Sequence, residues 1–345
     1  MSSIDLKSIK ARSVKAVFHS IASSDKITRA EIAKATDLSL MTVGKIADSF
    51  ARMGITKEEK EISGNVGRRA AVIRITDLYY GIVLDLTTDD YVCEIVDAGA
   101  NIIDRFSYAY SFDFYREENQ LLFFKNLVLY LSTRYDPEKC IGIGALLPDT
   151  AIYAESEATA SQTIHQGTQS VERMIQDNLS GYASNLYVGS CTETAAFYTA
   201  SRVPNHEEKI ILYCQLEATP QSALVVHGNI IYGKHGPLGN IGARLAKDAF
   251  RADTRGGNRA EEANLAKHCA QAIEDAEQLL SPHIIILEAD NHSQEFTVAL
   301  KKALDTILPK DTVVKIEAGG SRNSHFGVVL QLRNRWIDSI ISREI

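Results

Sequence analysis

At 345 residues the chain is longer than one ordinary core, which predicts two or three domains. Its formal charge of −7 excludes a uniformly basic coat, but residues 1–77 carry 14 Lys and Arg against 9 Asp and Glu while the rest carries 23 against 35, so a positive field suited to a phosphate backbone is confined to the N-terminus. Five scattered cysteines without a Cys-x-x-Cys pair exclude a disulfide framework, and the lack of a signal-like start or an apolar run of ~20 residues predicts a soluble cytoplasmic protein.

Ile9, Val14, Val17, Phe18 and Ile21 recur at three- and four-residue steps and predict a first helix ending near Ala22. Thr28 and Glu31 form a Thr-x-x-Glu capping box ahead of Ile32, which starts a second helix that stops at Asp37-Leu38. Ser39 then caps a third. In it Val43, Ile46, Ala47, Phe50 and Met53 share one face, so Met41, Gly44, Lys45 and Asp48 point the other way, as in a recognition helix whose first residues reach base edges. The candidate DNA contacts are Ser39, Met41, Thr42 and Lys45, with Gly44 offering close backbone approach. Past Gly54, segments 55–61 and 68–76 predict a hairpin wing around Ser63-Gly64-Asn65-Val66-Gly67. Its far arm opens with Arg68-Arg69, suited to a narrow minor groove.

From Tyr79 the pattern becomes short β-branched runs alternating with helical stretches, which predicts an α/β domain with a mixed sheet. Strands are expected at 81–85, 91–96, 140–147, 209–215, 222–227, 284–287 and 313–316, and helices at 121–131 and 171–179. Strand pairs near residues 81 and 210 are consistent with two similar halves. The Asp89-Asp90 pair falls in a turn between strands, where aspartates bond their own backbone. The histidines make no metal-ligand spacing, and no metal or cofactor is expected.

The stretch Val225-Val-His-Gly228-Asn-Ile-Ile-Tyr-Gly233-Lys-His-Gly236-Pro-Leu-Gly239-Asn240-Ile-Gly242-Ala243 follows, without a gap, the glycine spacing of the ROK family of repressors, open reading frames and kinases. Leu38-Ser39 before Thr42-Val43, and Gly67-Arg68-Arg69 at the wing, are similar to the head of that family's repressors. The chain thus resembles a ROK regulator over nearly its whole length. The resemblance implies a winged helix-turn-helix over 1–77 and an actin-like, ribonuclease-H-like effector and dimerisation domain over 78–345, in two lobes meeting near 197.

The kinase chemistry of that family is missing from the matching positions. Its Asp-x-Gly and Gly-Thr-Gly phosphate loops become Asp85-Leu86-Thr87 and Glu217-Ala218-Thr219, which lose the glycines that bring amides to phosphate. Its catalytic aspartate falls on Cys191, read as a thiol at an apolar strand end, and its sugar-binding Glu and His become Asn240 and Ala243. The zinc cysteines are absent. The segment 248–262, with Arg255-Gly256-Gly257, reads as a polar loop. Asp149, Ser190, Glu193, His235 and Asn240 would surround the former sugar cleft and could bond a polar effector. The expectation is a repressor-type regulator without enzymatic activity, binding a pseudo-palindromic duplex as a homodimer or a pair of dimers. A kinase with an appended head, or a purely structural dimerising body, are the alternatives.

Overall fold

A computed structural model of the chain describes residues 6–60, 71–87, 91–108, 117–149, 171–216, 220–233, 236–237, 259–289, 292–317 and 320–344. The chain divides into two compact units. The first comprises Met1–Ala145, Glu172–Tyr187 and Val329–Ile345, and the second Leu146–Val171 and Val188–Val328.

The first unit begins with α1 (Leu6–Ala22), β1 (Ile27–Thr28), α2 (Arg29–Thr36) and α3 (Leu40–Arg52). Both arms of the capping box form: Thr28 N donates to Glu31 Oε2 at 2.8 Å and Glu31 N to Thr28 Oγ1 at 3.3 Å, which holds the Glu31 carboxyl below its ordinary range. Asp37 ends α2 in the left-handed region, with φ of 55°, and turns the chain toward Ser39. Gly54, with φ of 74°, leaves α3. Strands β2 (Thr56–Lys60) and β3 (Ala71–Ile75) pair antiparallel as the arms of the wing, and β1 joins them in the order β1-β3-β2. Residues 61–70, which include Arg68 and Arg69, lie outside the described residues, as does Asp89-Asp90.

These helices do not close their core alone. Val17, Phe18 and Ile21 of α1, Ile32 of α2, and Val43, Ala47 and Phe50 of α3 are buried together with Ala98, Ile337 and Ile341. The last two belong to the C-terminal helix. Phe18 meets Phe50 edge-on at 5.7 Å between centroids and Trp336 at 6.0 Å, while Tyr79 stacks at a tilt on Trp336 at 5.1 Å.

Beyond the wing, β4 (Tyr80–Asp85), β5 (Tyr91–Asp97), β6 (Ile102–Tyr108), β7 (Cys140–Leu147) and β8 (Leu186–Ser190) form a sheet in the order β6-β5-β4-β7-β8, with α4 (Glu117–Ser132) and α5 over 171–179. β4, β5 and β6 are antiparallel neighbours. β7 and β8 run on into the second unit.

The second unit repeats this order. It contains α6 (Cys191–Ser201), β9 (Ile210–Gln215), β10 (Gln221–Val226), β11 (Asn229–Ile230), the small pair β12 (Tyr232–Gly233) and β13 (Gly236–Pro237), α7 (Arg259–Leu280), β14 (Ile284–Glu288), α8 (Gln294–Ile307), β15 (Val313–Glu317) and the start of α9 (Gly320–Glu344). Its sheet runs β11-β10-β9-β14-β15: an antiparallel meander, then two strands parallel to β9. His227 and Gly228 both have positive φ, 51° and 75°, as a two-residue hairpin turn of primed type requires, which explains that glycine. One face of the sheet packs Ile211, Tyr213, Ala223 and Ile286 on Ala195 and Ala196 of α6; the other packs Leu212, Ile285 and Leu287 on α7 and α8. A three-two-one-four-five order occurring twice is the duplication expected of an actin-like fold. The loop expected over 248–262 is corrected at its end, because α7 already begins at Arg259, where alanines and leucines give the chain an apolar stripe.

Candidate functional site

The candidate residues gather at two places, one in each unit. On α3, Ser39 has extended backbone (φ −65°, ψ 147°) and its hydroxyl accepts from Thr42 N at 3.1 Å. The two hydroxyls, Ser39 Oγ and Thr42 Oγ1, are 2.9 Å apart. With Val43, Ala47 and Phe50 buried, Met41, Lys45 and Asp48 are exposed and Thr42 half-exposed, so Ser39, Met41, Thr42 and Lys45 share the outer face of the first two turns. Leu40, unread in the sequence, joins them with 60% exposure.

Gly44 is seated against a side chain. A Cβ there would lie 3.4 Å from Arg29 Nη1. Arg29 donates through Nη2 to Asp48 Oδ1 at 2.7 Å and to Glu58 Oε2 at 2.8 Å, and these partners raise its pKa further. One guanidinium thereby ties α2, α3 and wing strand β2 together. This clamp escaped the sequence reading because its members stand 19 and 29 positions apart.

In the second unit Asp149, Ser190 and Glu193 come together, while His235 and Asn240 lie outside the described residues. Ser190 caps α6 in a second capping box: Glu193 N donates to Ser190 Oγ at 3.2 Å and Ser190 N to Glu193 Oε2 at 3.0 Å. Thr192 Oγ1 lies 3.0 Å from Asp149 Oδ2 and 2.9 Å from Gln215 Oε1. Although Tyr232 is 60% exposed as a whole, dehydration of its hydroxyl and the Glu193 carboxylate, which accepts from that hydroxyl, raise the pKa of the phenol. Gln215 and Glu288 are register partners at the carboxyl ends of parallel strands β9 and β14, where α/β sheets place ligands. Glu288 is buried and accepts from Tyr213 and, at 3.4 Å, from Asn323 Nδ2.

Dehydration raises the Asp149 carboxyl above its ordinary range, against hydrogen bonds from Ser190 and Thr192 that lower it. An acid whose folded pKa is raised binds more protons folded than unfolded, so its penalty is absent in acid and complete above the folded pKa. Asp149→Asn is therefore expected to raise the thermal midpoint at neutral pH, with the gain vanishing as the pH falls below the ordinary carboxyl range. Differential scanning calorimetry across pH checks this; an equal gain at every pH would show that charge is not its source.

Asp85 ends β4 and accepts from Thr87 N at 3.0 Å and Thr87 Oγ1 at 2.5 Å, closing the loop on itself where a ROK kinase would offer glycine amides. Cys191 is corrected from a buried strand-end thiol to the first, half-buried residue of α6, because Ser190 has already capped the helix. Among the described residues no group of three or more His, Cys, Asp or Glu is arranged to hold a metal ion, and no helix is long and apolar enough to cross a membrane.

No family model matches the chain, and no curated protein matches it in sequence. Solved structures do match. A ROK-family transcriptional regulator described as a homologue of the Escherichia coli Mlc protein superposes with a TM-score of 0.64 at 11% identity, covering 97% of this chain and 98% of its own. A ROK hexokinase from Thermus thermophilus gives 0.52 at 13% identity, over 73% of this chain and 97% of its own. A ROK protein from Streptococcus pneumoniae, solved in complex with sucrose, gives 0.51 at 14%, over 74% and 99%. The kinase-type structure accounts for about three quarters of the chain and the regulator for nearly all of it: the chain has the fold of a ROK-family transcriptional regulator.

Proposed function

We propose that the protein is a DNA-binding transcriptional regulator of repressor type, whose residues 1–77 bind duplex DNA and whose residues 78–345 dimerise and sense a small polar effector without phosphorylating it. The observation that carries this reading is the outer face of α3: a capped helix start with Met41 and Lys45 exposed one turn apart, in the basic segment of an acidic chain. Ser39, Met41, Thr42 and Lys45 enter the major groove, while Arg68 and Arg69 reach the minor groove from the wing. A homodimer doubles the contact on a pseudo-palindromic site, and pairing into tetramers is compatible with it. Cytoplasmic residence follows from this role.

In a fluorescence-anisotropy titration against genomic fragments, Lys45→Ala is expected to weaken binding roughly ten-fold and to lower the slope of log affinity against log salt by about one. Unaltered binding in both Lys45→Ala and Arg68→Ala would remove the interface from consideration.

The fold shared with a hexokinase supports a second reading, a sugar kinase with an appended head. The closed Asp85 loop and the cysteine at position 191 weigh against it. A coupled ATP-consumption assay over hexoses and amino sugars decides, since turnover with any sugar would establish the kinase. The sucrose bound by one structural neighbour makes sugars the first class to screen as effectors of Asp149, Ser190, Glu193, His235 and Asn240. Thermal shifts separate a sensor from a purely structural dimeriser, because a ligand of the folded state stabilises it by mass action.

A further inference from the structure

We propose that Leu40 and Met41 form an apolar tip that reads the 5-methyl groups of thymines in the operator's major groove. The inference rests on the DNA-binding reading and adds the base chemistry that the helix recognises. Leu40 and Met41 are 60% and 72% exposed, on the opening turn of α3. A single exposed leucine is unremarkable, but two adjacent large apolar side chains standing in water at the end of a recognition helix are not. The flanking polar groups are engaged with each other: the Ser39 and Thr42 hydroxyls lie 2.9 Å apart, and Ser39 also accepts from Thr42 N at 3.1 Å. The first turn thus presents two apolar side chains to the groove beside hydroxyls that already bond each other.

In the major groove the thymine methyl is the apolar feature, and apolar side chains recognise it. An unbranched thioether adapts its shape to a methyl better than a rigid side chain does. Charge selects duplex DNA as the occupant over an apolar protein surface. Lys45 stands one helical turn beyond Met41 on the exposed face, within a segment of 14 basic against 9 acidic residues. A turn of about 5.4 Å spans one to two steps of roughly 3.4 Å. The methyl is therefore read within about two base pairs of the Lys45 contact.

The test begins by selecting duplexes from a random pool with the full-length protein, then replaces each thymine of the selected half-site by deoxyuridine, which keeps pairing and hydrogen bonding but removes the methyl. One or two positions per half-site are expected to weaken wild-type binding about four-fold each, the effect of one buried methyl group. The Leu40→Ala, Met41→Ala double variant should bind parent and deoxyuridine duplexes equally. The proposal is overturned if every deoxyuridine duplex binds the wild type as tightly as its parent, if the selected half-site holds no thymine, or if the loss is the same in the double variant. Should Leu40 and Met41 instead face a protein, the variant would change oligomeric state in sedimentation while keeping the wild-type response to deoxyuridine. Failure to select any duplex would overturn the DNA-binding reading and this inference with it, whereas Lys45-dependent binding without a methyl effect would overturn the inference alone.

Discussion

A Phe18→Ala variant is expected to lose about 3–5 kcal/mol of stability and, with it, duplex binding near its unfolding midpoint. Phe18 is fully buried and lies between Phe50 of α3, which backs the candidate recognition face, and Trp336 of the C-terminal helix. Truncation removes both edge-to-face contacts and leaves a cavity that the surrounding helices fill only in part. The buried Arg333 also changes surroundings, since its guanidinium sits 5.9 Å from the Phe18 ring centroid and donates to the Ala98 carbonyl at 3.3 Å. Trp336 is the single tryptophan, so its fluorescence reports on this core. Urea unfolding followed at that tryptophan should show a lower midpoint at unchanged slope. A loss below about 1 kcal/mol would mean that the head does not lean on the C-terminal helix. Because Ile337 and Ile341 complete the same core, a fragment ending at residue 77 is expected to fold less stably than the head in the intact chain.

The parts of the fold that were legible in the sequence are those governed by short-range chemistry. Thr28, Asp37 and Ser39 mark the helix ends because capping is decided within three residues, and the strands at 91–96, 140–147 and 284–287 announce themselves by burial of β-branched runs. What stayed hidden depends on distant partners. β6 was missed, being an edge strand with Ile102 and Ile103 exposed, and β1 is only two residues long. α9 was missed because its buried side is partly polar: Asn323, Ser324 and Arg333 donate to groups far away in sequence, which dilutes the helical apolar pattern. At the candidate DNA interface, Leu40 carried no outward signal, since an apolar residue beside a helix cap reads as core. In the second unit the link from Thr192 to Asp149 and Gln215 spans 43 and 23 positions and leaves no local trace.

Gly327→Ala is the substitution expected to disturb the second unit most. A Cβ at Gly327 would stand 2.0 Å from the Thr194 carbonyl oxygen, 2.5 Å from its carbon and 3.0 Å from its Cα. All three are backbone atoms of α6, so no rotamer change can relieve them, and α9 must move away by about 1 Å to restore van der Waals separation. Overpacking of this kind costs on the order of 3 kcal/mol. The displacement acts on the candidate effector cluster as well. Within the same turn of α9, Ser324 Oγ donates to the Cys191 carbonyl at 2.9 Å and Asn323 reaches the buried Glu288, so moving α9 strips a donor from that carboxylate and loosens the start of α6, where Thr192 and Glu193 are held. Hydrogen exchange should therefore rise in peptides covering 188–201 and 284–289, while peptides of α1 and α3 keep their protection. If exchange in those peptides were unchanged, the close crossing of α6 and α9 would not exist as described. If it rose while a thermal shift produced by any screened sugar persisted at full size, the cluster would not be where that sugar binds.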